Sequence, residues 1–545
     1  MSASSKKKLR NAQDGSRLTE RQKAAQKEAK KLKLYTAAFV IVLVVLVVAA
    51  LAVGINQIVT SNGIRERNTV AMTVGTEEIN SVEMSYFFVD NTRNFYSQNS
   101  SYLSFLMDPS APLDSQMYNE ETGETWADYL LGMAQDNVRS VYALSSAAEA
   151  AGHTLSEEET AGVEDNISTM RLFSQYYGFS DLDGYLKAMY GNGAREASYR
   201  EYCLRTALAS SYYNAYSDSL SYDDAALREE EKDNFDAYSS FTYNSYYLSA
   251  SKFLEGGTQD ENGTTTYSDE EKAAAVKAAE AAAKSLTDAE AIPSAEALDE
   301  AIAALSVNQG TANPVTSTAY ADKLYTSIDS DVAAWLAGNR SEGDLTYIPR
   351  TTTTEEDGAQ VTTTDGYYVI RYVSRNDNRM PMDNVRHILV GFEGGTTDAS
   401  GTTVYSDEEK AAALAKAEDI LAQWESGDKT EDSFAALAKE NTDDTASAET
   451  GGLYENISPS SAYVVSFKQW ALDDSRKVGD TGIVESTYGY HIMYYCGETE
   501  MTYRDSMIRS DLAARDMESW YTGLLDAQPV TPGETKYLPM SMTLG

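Results

Sequence analysis

Hydrophobic and polar positions along the chain divide it into segments of different period. From Ala37 to Ile55 there is no charge at all, and the centre of that run is Phe39-Val40-Ile41-Val42-Leu43-Val44-Val45-Leu46-Val47-Val48. An apolar run of about 20 residues is long enough for a helix that crosses the hydrocarbon layer, and no other segment comes close. Val70-Ala71-Met72-Thr73-Val74-Gly75 alternates as a short strand does. Asn80-Ser81-Val82-Glu83 then has capping-box form at a helix start. Residues 124–150 repeat Trp126, Leu130, Met133, Val138, Val141 and Leu144 at helical spacing. Further helices are expected at about 155–176, 180–190, 195–216 and 222–240. A last one is expected at about 501–527, with Ile508, Leu512, Trp520 and Leu524 on one side. Two β-like runs each contain a histidine: Val385-Arg386-His387-Ile388-Leu389-Val390 and Tyr488-Gly489-Tyr490-His491-Ile492-Met493.

Charge changes this picture in two ways. The formal net charge of −40 excludes a general phosphate-backbone binder, which needs clustered Lys and Arg, so no nucleic-acid partner is expected. The 33 residues before the apolar run nevertheless hold eleven Lys/Arg against three Asp/Glu. Cations flanking a membrane helix stay in the cytoplasm. The expectation is a cytoplasmic tail at 1–33, a single-pass anchor at 34–58 and an extracytoplasmic remainder. Ala50-Leu51-Ala52 also has the form of a signal-cleavage site, so cleavage stays open; the length of the basic and apolar regions favours an uncleaved anchor. Cys203 and Cys496, the two cysteines, are expected as free thiols. No Cys/His spacing fits a zinc site, and neither metal nor cofactor is expected. Gly191 and Gly193 lack the third glycine and the preceding strand of a phosphate loop. His153, after Gly152, reads as a solvated helix-end residue.

The chain also repeats itself. EGGTQDENGTTTYSDEEKAAA at 255–275 and EGGTTDASGTTVYSDEEKAAA at 393–413 are identical at 17 of 21 positions, at a constant offset of 138. Each half is a Gly-containing polar loop leading to a capped helix start, Ser268 with Glu271 and Ser406 with Glu409. Trp335 with Gly343-Asp344 parallels Trp470 with Gly479-Asp480. Asp365-Gly366-Tyr367-Tyr368-Val369-Ile370 parallels 488–493. Residues 240–375 therefore read as a diverged copy of the later unit. At the loop's offset Ser249 stands in the first histidine's place, and the match of 365–370 with 488–493 puts Tyr368 in the last one's.

Between His387 and His491 lie an amphipathic helix, Phe434-Ala435-Ala436-Leu437-Ala438, Asn441-Thr442-Asp443-Asp444, Gly451-Gly452-Leu453, Phe467, Trp470 and Gly479. This ordered set over 383–497 resembles the parvulin-type peptidyl-prolyl isomerases. The whole plan is similar to exported foldases and chaperones of the PrsA and SurA kind. The resemblance implies an α+β chain with these parts: a helical chaperone-like domain at 66–238, a degenerate parvulin-like unit at 239–377, a parvulin prolyl isomerase unit at 380–498, and a helix at 499–545 returning to the N-terminal domain.

It also implies site roles. His387 and His491 are the paired histidines, and Asp444 lies close to the substrate carbonyl. Leu453 and Phe467 wall the proline pocket, Tyr463 falls near a third pocket position with the gap unresolved, and Ser486 supplies a hydroxyl before the last histidine. The loop Ser458-Pro459-Ser460-Ser461-Ala462 departs from the family, so the pocket's shape is open. The acidic loop 393–410 argues against selection of phosphorylated Ser-Pro. Implied partners are unfolded or partly folded exported proteins with X-Pro bonds. A non-catalytic holdase is the alternative, and oligomeric state, a homodimer included, is left open.

Overall fold

The computed structural model describes residues 63–539, apart from 260–262, 357–358 and 399–400. The basic tail and the apolar run 37–55 fall outside those residues. Among the described residues no helix is long and apolar enough to cross a membrane. The fold is mixed α+β and divides into two compact units, one of Met1–Ser221 with Ser510–Gly545 and one of Tyr222–Arg509.

In the first unit β1 (Val70–Val74) pairs antiparallel with β2 (Glu77–Asn80) on one side and with strand Val530–Pro532 on the other. Five helices of nine or more residues follow: α1 (Ser81–Gln98), α2 (Trp126–Ala150), α3 (Glu157–Tyr176), α4 (Leu182–Tyr190) and α5 (Glu196–Ser219). Asn80 caps α1 by accepting from the amides of Val82 and Glu83 at 3.0 and 3.1 Å. The expected reciprocal bond from Glu83 is not made. Its carboxylate accepts from Tyr142 Oη at 2.6 Å instead, so a tertiary partner displaces the local one. His153 is half-buried against Tyr212, with Nε2 at 2.8 Å from Ser211 Oγ, rather than solvated. The core is built from Met72, Ile79, Phe87, Phe88, Leu130, Val138 and Ile167. Trp520, Tyr521 and Leu524 pack against it. Trp520 stacks on Tyr216 at 3.9 Å between ring centres, and Arg139 Nη2 donates to Leu525 O at 2.6 Å.

The second unit opens with α6 (Asp224–Asp233), shorter than the helix expected at 222–240 because a 3-10 turn, Phe235–Tyr238, leads directly into a strand. Two four-stranded antiparallel sheets follow. The first is formed by β3 (Ser240–Ser249), β4 (Thr318–Leu324), β5 (Leu345–Glu356) and β6 (Ala359–Asn376), with α7 (Asp269–Ser285), α8 (Ala295–Ala304) and α9 (Ser330–Leu336) between strands. The second is formed by β7 (Pro381–Gly391), β8 (Leu453–Ile457), β9 (Thr481–Glu485) and β10 (Gly489–Thr502). Between them come α10 (Asp407–Ser426), α11 (Glu431–Asn441) and α12 (Val465–Ala471). Strand orders are β4-β3-β6-β5 and β8-β7-β10-β9, the same arrangement twice. Capping boxes close at Ser268/Glu271 and Ser406/Glu409.

Register corrects one part of the repeat. Gly366 lies opposite Ser249, and Gly489 lies opposite Gly391. Equating the two glycine pairs puts Ser245, not Ser249, in the place of His387, while Tyr368 keeps that of His491. The physical reason is a four-residue 3-10 turn, Ala250–Phe253, inserted between β3 and its loop. In the second sheet β7 ends at Gly391, with no such turn before the loop.

After β10 comes α13 (Tyr503–Asp526). Arg504 at its start is completely buried. Its guanidinium pairs with Glu231 of α6 at 2.6 Å and donates to the carbonyls of Phe235, Tyr238 and Asp377. One side chain thus ties the helix before the first sheet to the linker between the sheets.

Candidate active site

Alternation along β7 and β10 sorts side chains onto two faces. Ile388, Val390, Ile492 and Tyr494 pack under α10 and α11 against Ala417, Trp424 and Phe434. Val385, Met493 and Tyr495 face the other way, with Tyr454, Phe467 and Trp470. His387 and His491 belong to this second face. His387 pairs with Met493 across the ladder and His491 with Leu389, so the two imidazoles are diagonal neighbours. Their Nδ1 atoms are 3.1 Å apart.

Each ring has a partner at its far nitrogen. His387 Nε2 is 2.9 Å from Asp444 Oδ2, and His491 Nε2 is 2.8 Å from Ser486 Oγ. A carboxylate only accepts, so His387 carries its proton on Nε2 and accepts at Nδ1 when neutral. His491 then donates from Nδ1 and accepts the Ser486 hydroxyl at Nε2. Donation runs in one direction, Ser486 to His491 to His387 to Asp444, with tautomers assigned from the network. Both imidazoles and Asp444 are buried. Burial alone would raise the pKa of Asp444. Hydrogen bonds from His387, Ser447 (2.6 Å) and Tyr454 (2.7 Å), all to Oδ2, outweigh it and hold the carboxyl well below the usual range.

The turn before β8 explains how these parts meet. Gly452 has φ +73°, and a Cβ there would lie 2.1 Å from His387 O. The His387 amide donates to Gly452 O at 2.9 Å. Only glycine lets the two backbones approach this closely. Thr442 accepts the amides of both Leu389 and Asp444, at 3.0 and 3.2 Å, which fixes the carboxylate's segment to β7.

Aromatic rings wall the imidazoles. Phe467 stands edge-on to both, at 5.3 Å from His387 and 5.5 Å from His491. Tyr454 lies 5.0 Å from His387, and Tyr463 packs on Tyr454 and Phe467 at 5.2 and 5.4 Å. Of the seven residues singled out from sequence, six converge here: His387, Asp444, Tyr463, Phe467, Ser486 and His491. Leu453 does not. It lies opposite Arg386, whereas Tyr454 lies opposite Val385, and period-2 alternation turns Leu453 onto the other face. Tyr454 is the wall in its stead. Sequence reasoning missed Tyr454, Ser447 and Thr442; the alternation Leu453-Tyr454 was the available signal for the first.

Among the described residues no group of three His, Cys, Asp or Glu side chains is placed to hold a metal. Cys203 and Cys496 are free thiols, both pushed up to about 12 by burial.

Residues 367–496 match the family model of the PPIC-type PPIASE domain. The chain carries a PPIC-type PPIase domain. The match begins inside β6, earlier than the boundary at 380 expected from sequence. The chain is similar to Foldase protein PrsA 1 of Listeria innocua, 32% identical over 145 residues, covering 25% of this chain and 40% of that protein. It is also similar to Foldase protein PrsA 1 of Listeria monocytogenes, 33% identical over 145 residues with the same coverage. The chain therefore spans about two fifths of the length of these relatives. Among solved structures, Peptidylprolyl Isomerase (PrsA) from Bacillus cereus matches at 25% identity and TM-score 0.18, over 28% of this chain and 50% of that one.

Proposed function

We propose that residues 380–498 catalyse cis-trans isomerisation of X-Pro bonds in exported polypeptides. In this reading the chain is an extracytoplasmic foldase, held to the membrane by 34–58. Amide resonance sets a barrier of about 18–20 kcal/mol, and uncatalysed X-Pro exchange takes tens to hundreds of seconds. No bond breaks, so neither nucleophile nor metal is required. A catalyst must hold the ring in an apolar slot and favour the twisted amide over both planar forms.

The observation that carries the reading is the buried imidazole pair set edge-on to Phe467, between Tyr454 and Ser486. Phe467 and Tyr463 supply the apolar wall for a pyrrolidine. The one-way chain of donors fixes the rings before substrate arrives, so little reorganisation accompanies twisting. Asp444 already accepts three bonds at Oδ2. Its role is to orient His387, rather than to meet the substrate carbonyl.

Residues 239–377 are read as a diverged copy that keeps the scaffold without the reaction. Ser245 and Tyr368 in the histidine places favour a second, holdase role for that part, in which it binds extended segments without turnover. The test is cis-to-trans exchange of a short X-Pro peptide with the full chain. Acceleration over the uncatalysed rate is expected. No acceleration, with suppression of client aggregation intact, would leave the holdase alone.

A further inference from the structure

The segment linking α1 to α2, residues 99–125, has an unusual surface. Of fourteen large apolar side chains exposed among the described residues, five lie on it: Tyr102, Phe105, Leu106, Met117 and Tyr118. Phe105 is 88% exposed. Single exposed apolar residues need no explanation, but a concentration of them does.

The segment is also held in place. Leu103, Met107 and Leu113 are buried in the core of this unit and act as anchors, which turns Phe105 outward between the first two. The Gln116 carboxamide accepts from the Asp108 amide at 2.7 Å and donates to Asp108 O at 3.0 Å, closing the loop on itself. Tyr118 stacks on Tyr129 of α2 at 4.1 Å and meets Trp126 at 4.8 Å. Ordering entropy that an apolar contact must overcome has thus already been spent in folding.

Charge selects the occupant. From Asn94 to Val138 there is no Lys or Arg, against seven carboxylates: Asp108, Asp114, Glu120, Glu121, Glu124, Asp128 and Asp136. A segment of that charge repels anionic lipid headgroups and nucleic acid. A second copy meeting it face to face would bring the same carboxylates. It attracts a chain whose apolar side chains are interleaved with cations.

We propose that residues 99–125 form a docking surface for extended polypeptide segments in which aromatic or aliphatic side chains lie next to lysine or arginine. This rests on the reading of the chain as a handler of unfolded polypeptide and adds the class of segment it takes.

The test uses the full chain and two proline-free, unstructured, fluorescein-labelled peptides, both rich in Leu and Phe, one interleaved with Lys and the other with Glu. Fluorescence anisotropy should show the Lys peptide binding at least about ten-fold more tightly at low salt, with the gap narrowing as the Debye length falls to about 10 Å at 0.1 M. Phe105→Ser, at an exposed position, and the double variant Phe105→Ser/Tyr118→Ser should weaken it progressively. Glu120→Gln/Glu121→Gln should shrink the preference for Lys over Glu. Equal affinity for both peptides would overturn the proposal, as would undiminished Lys-peptide binding by the double variant. Co-sedimentation of the full chain with phosphatidylglycerol vesicles that Phe105→Ser/Tyr118→Ser reduces would instead assign the surface to a membrane, since the anchor's own binding is the same in both proteins. X-Pro exchange measured on the same variants should be unchanged, which confirms folding. Because the peptides lack proline, loss of isomerase activity with binding intact would strike the catalytic reading and leave this one standing.

Discussion

The two sheets of the second unit share strand order, crossover helices and a nearly identical loop, yet only one of them holds a histidine pair. In β7 and β10 two imidazoles meet at 3.1 Å and are fixed at both ends. In β3 and β6 the same places hold Ser245 and Tyr368, on strands paired in the equivalent antiparallel register. The helix-covered faces correspond closely: Tyr246, Leu248 and Val369 in one, Ile388, Val390 and Ile492 in the other. What differs is the opposite face and the turn that serves it. The scaffold therefore does not by itself produce the site. The site needs Gly452, a buried carboxylate and two histidines together.

Arg504→Ala should have the largest effect on that comparison, because it touches what joins the sheets. Removing one partner of a buried, hydrogen-bonded pair costs about 3–5 kcal/mol, and Glu231 would be left with Arg228 and Arg379 at its more exposed edge. Denaturant unfolding of the full chain should show it. A loss under about 1 kcal/mol would mean the tie is incidental.

Tyr454→Phe asks whether the carboxylate network belongs to the active sheet alone. A hydrogen bond to a charged group contributes about 1.5–3 kcal/mol, and Asp444 would keep two donors at Oδ2. The native-state pKa of Asp444 is depressed, so its stabilising contribution is fully present above the unfolded value of about 3.9 and is lost as pH falls below it. The stability gap between the wild type and Asp444→Asn should therefore be flat from pH 7 to about 5 and close in stronger acid. A gap that stays constant below pH 3 would contradict the depressed value.

Gly452→Ala sharpens the role of the turn before β8; ahead of β4 the first copy has Val315-Thr316-Ser317 and no glycine pair. The left-handed backbone costs about 1–3 kcal/mol for a residue with a Cβ, and the added atom would press on His387 O. Isomerase activity should fall further than stability, because the strand carrying His387 is what moves. The smallest effect is expected from Ser245→His/Tyr368→His. Both rings would sit on the right strands, but without the turn and the carboxylate the isomerase rate of the full chain should not change. A measurable gain would show that two imidazoles suffice.

Much of this was legible in the sequence, for reasons that also explain the errors. His387, Phe467 and His491 stand in an ordered motif set, and the repeated loop announces the second copy. Loop identity misled the strand alignment, because the 3-10 turn Ala250–Phe253 carries no periodic signal. Leu453 is the apolar residue after two glycines, but strand register decides which face a residue takes, and Tyr454 takes the site face. Ser447 and Thr442 are small polar residues in turns, with nothing local to mark them. Arg504 and Glu231 lie among other charged residues on two helices far apart in sequence, and only the tertiary fold singles them out and brings them together.

The most direct measurement compares cis-to-trans exchange of one X-Pro peptide by the full chain and by its His387→Ala and His491→Ala variants, each checked for cooperative unfolding. The expected result is acceleration by the wild type and a loss on the order of 10²-fold in either variant, the scale seen when a positioned polar group is removed from a preorganised site. Full activity in a folded double variant would contradict the claim that the paired imidazoles make the site.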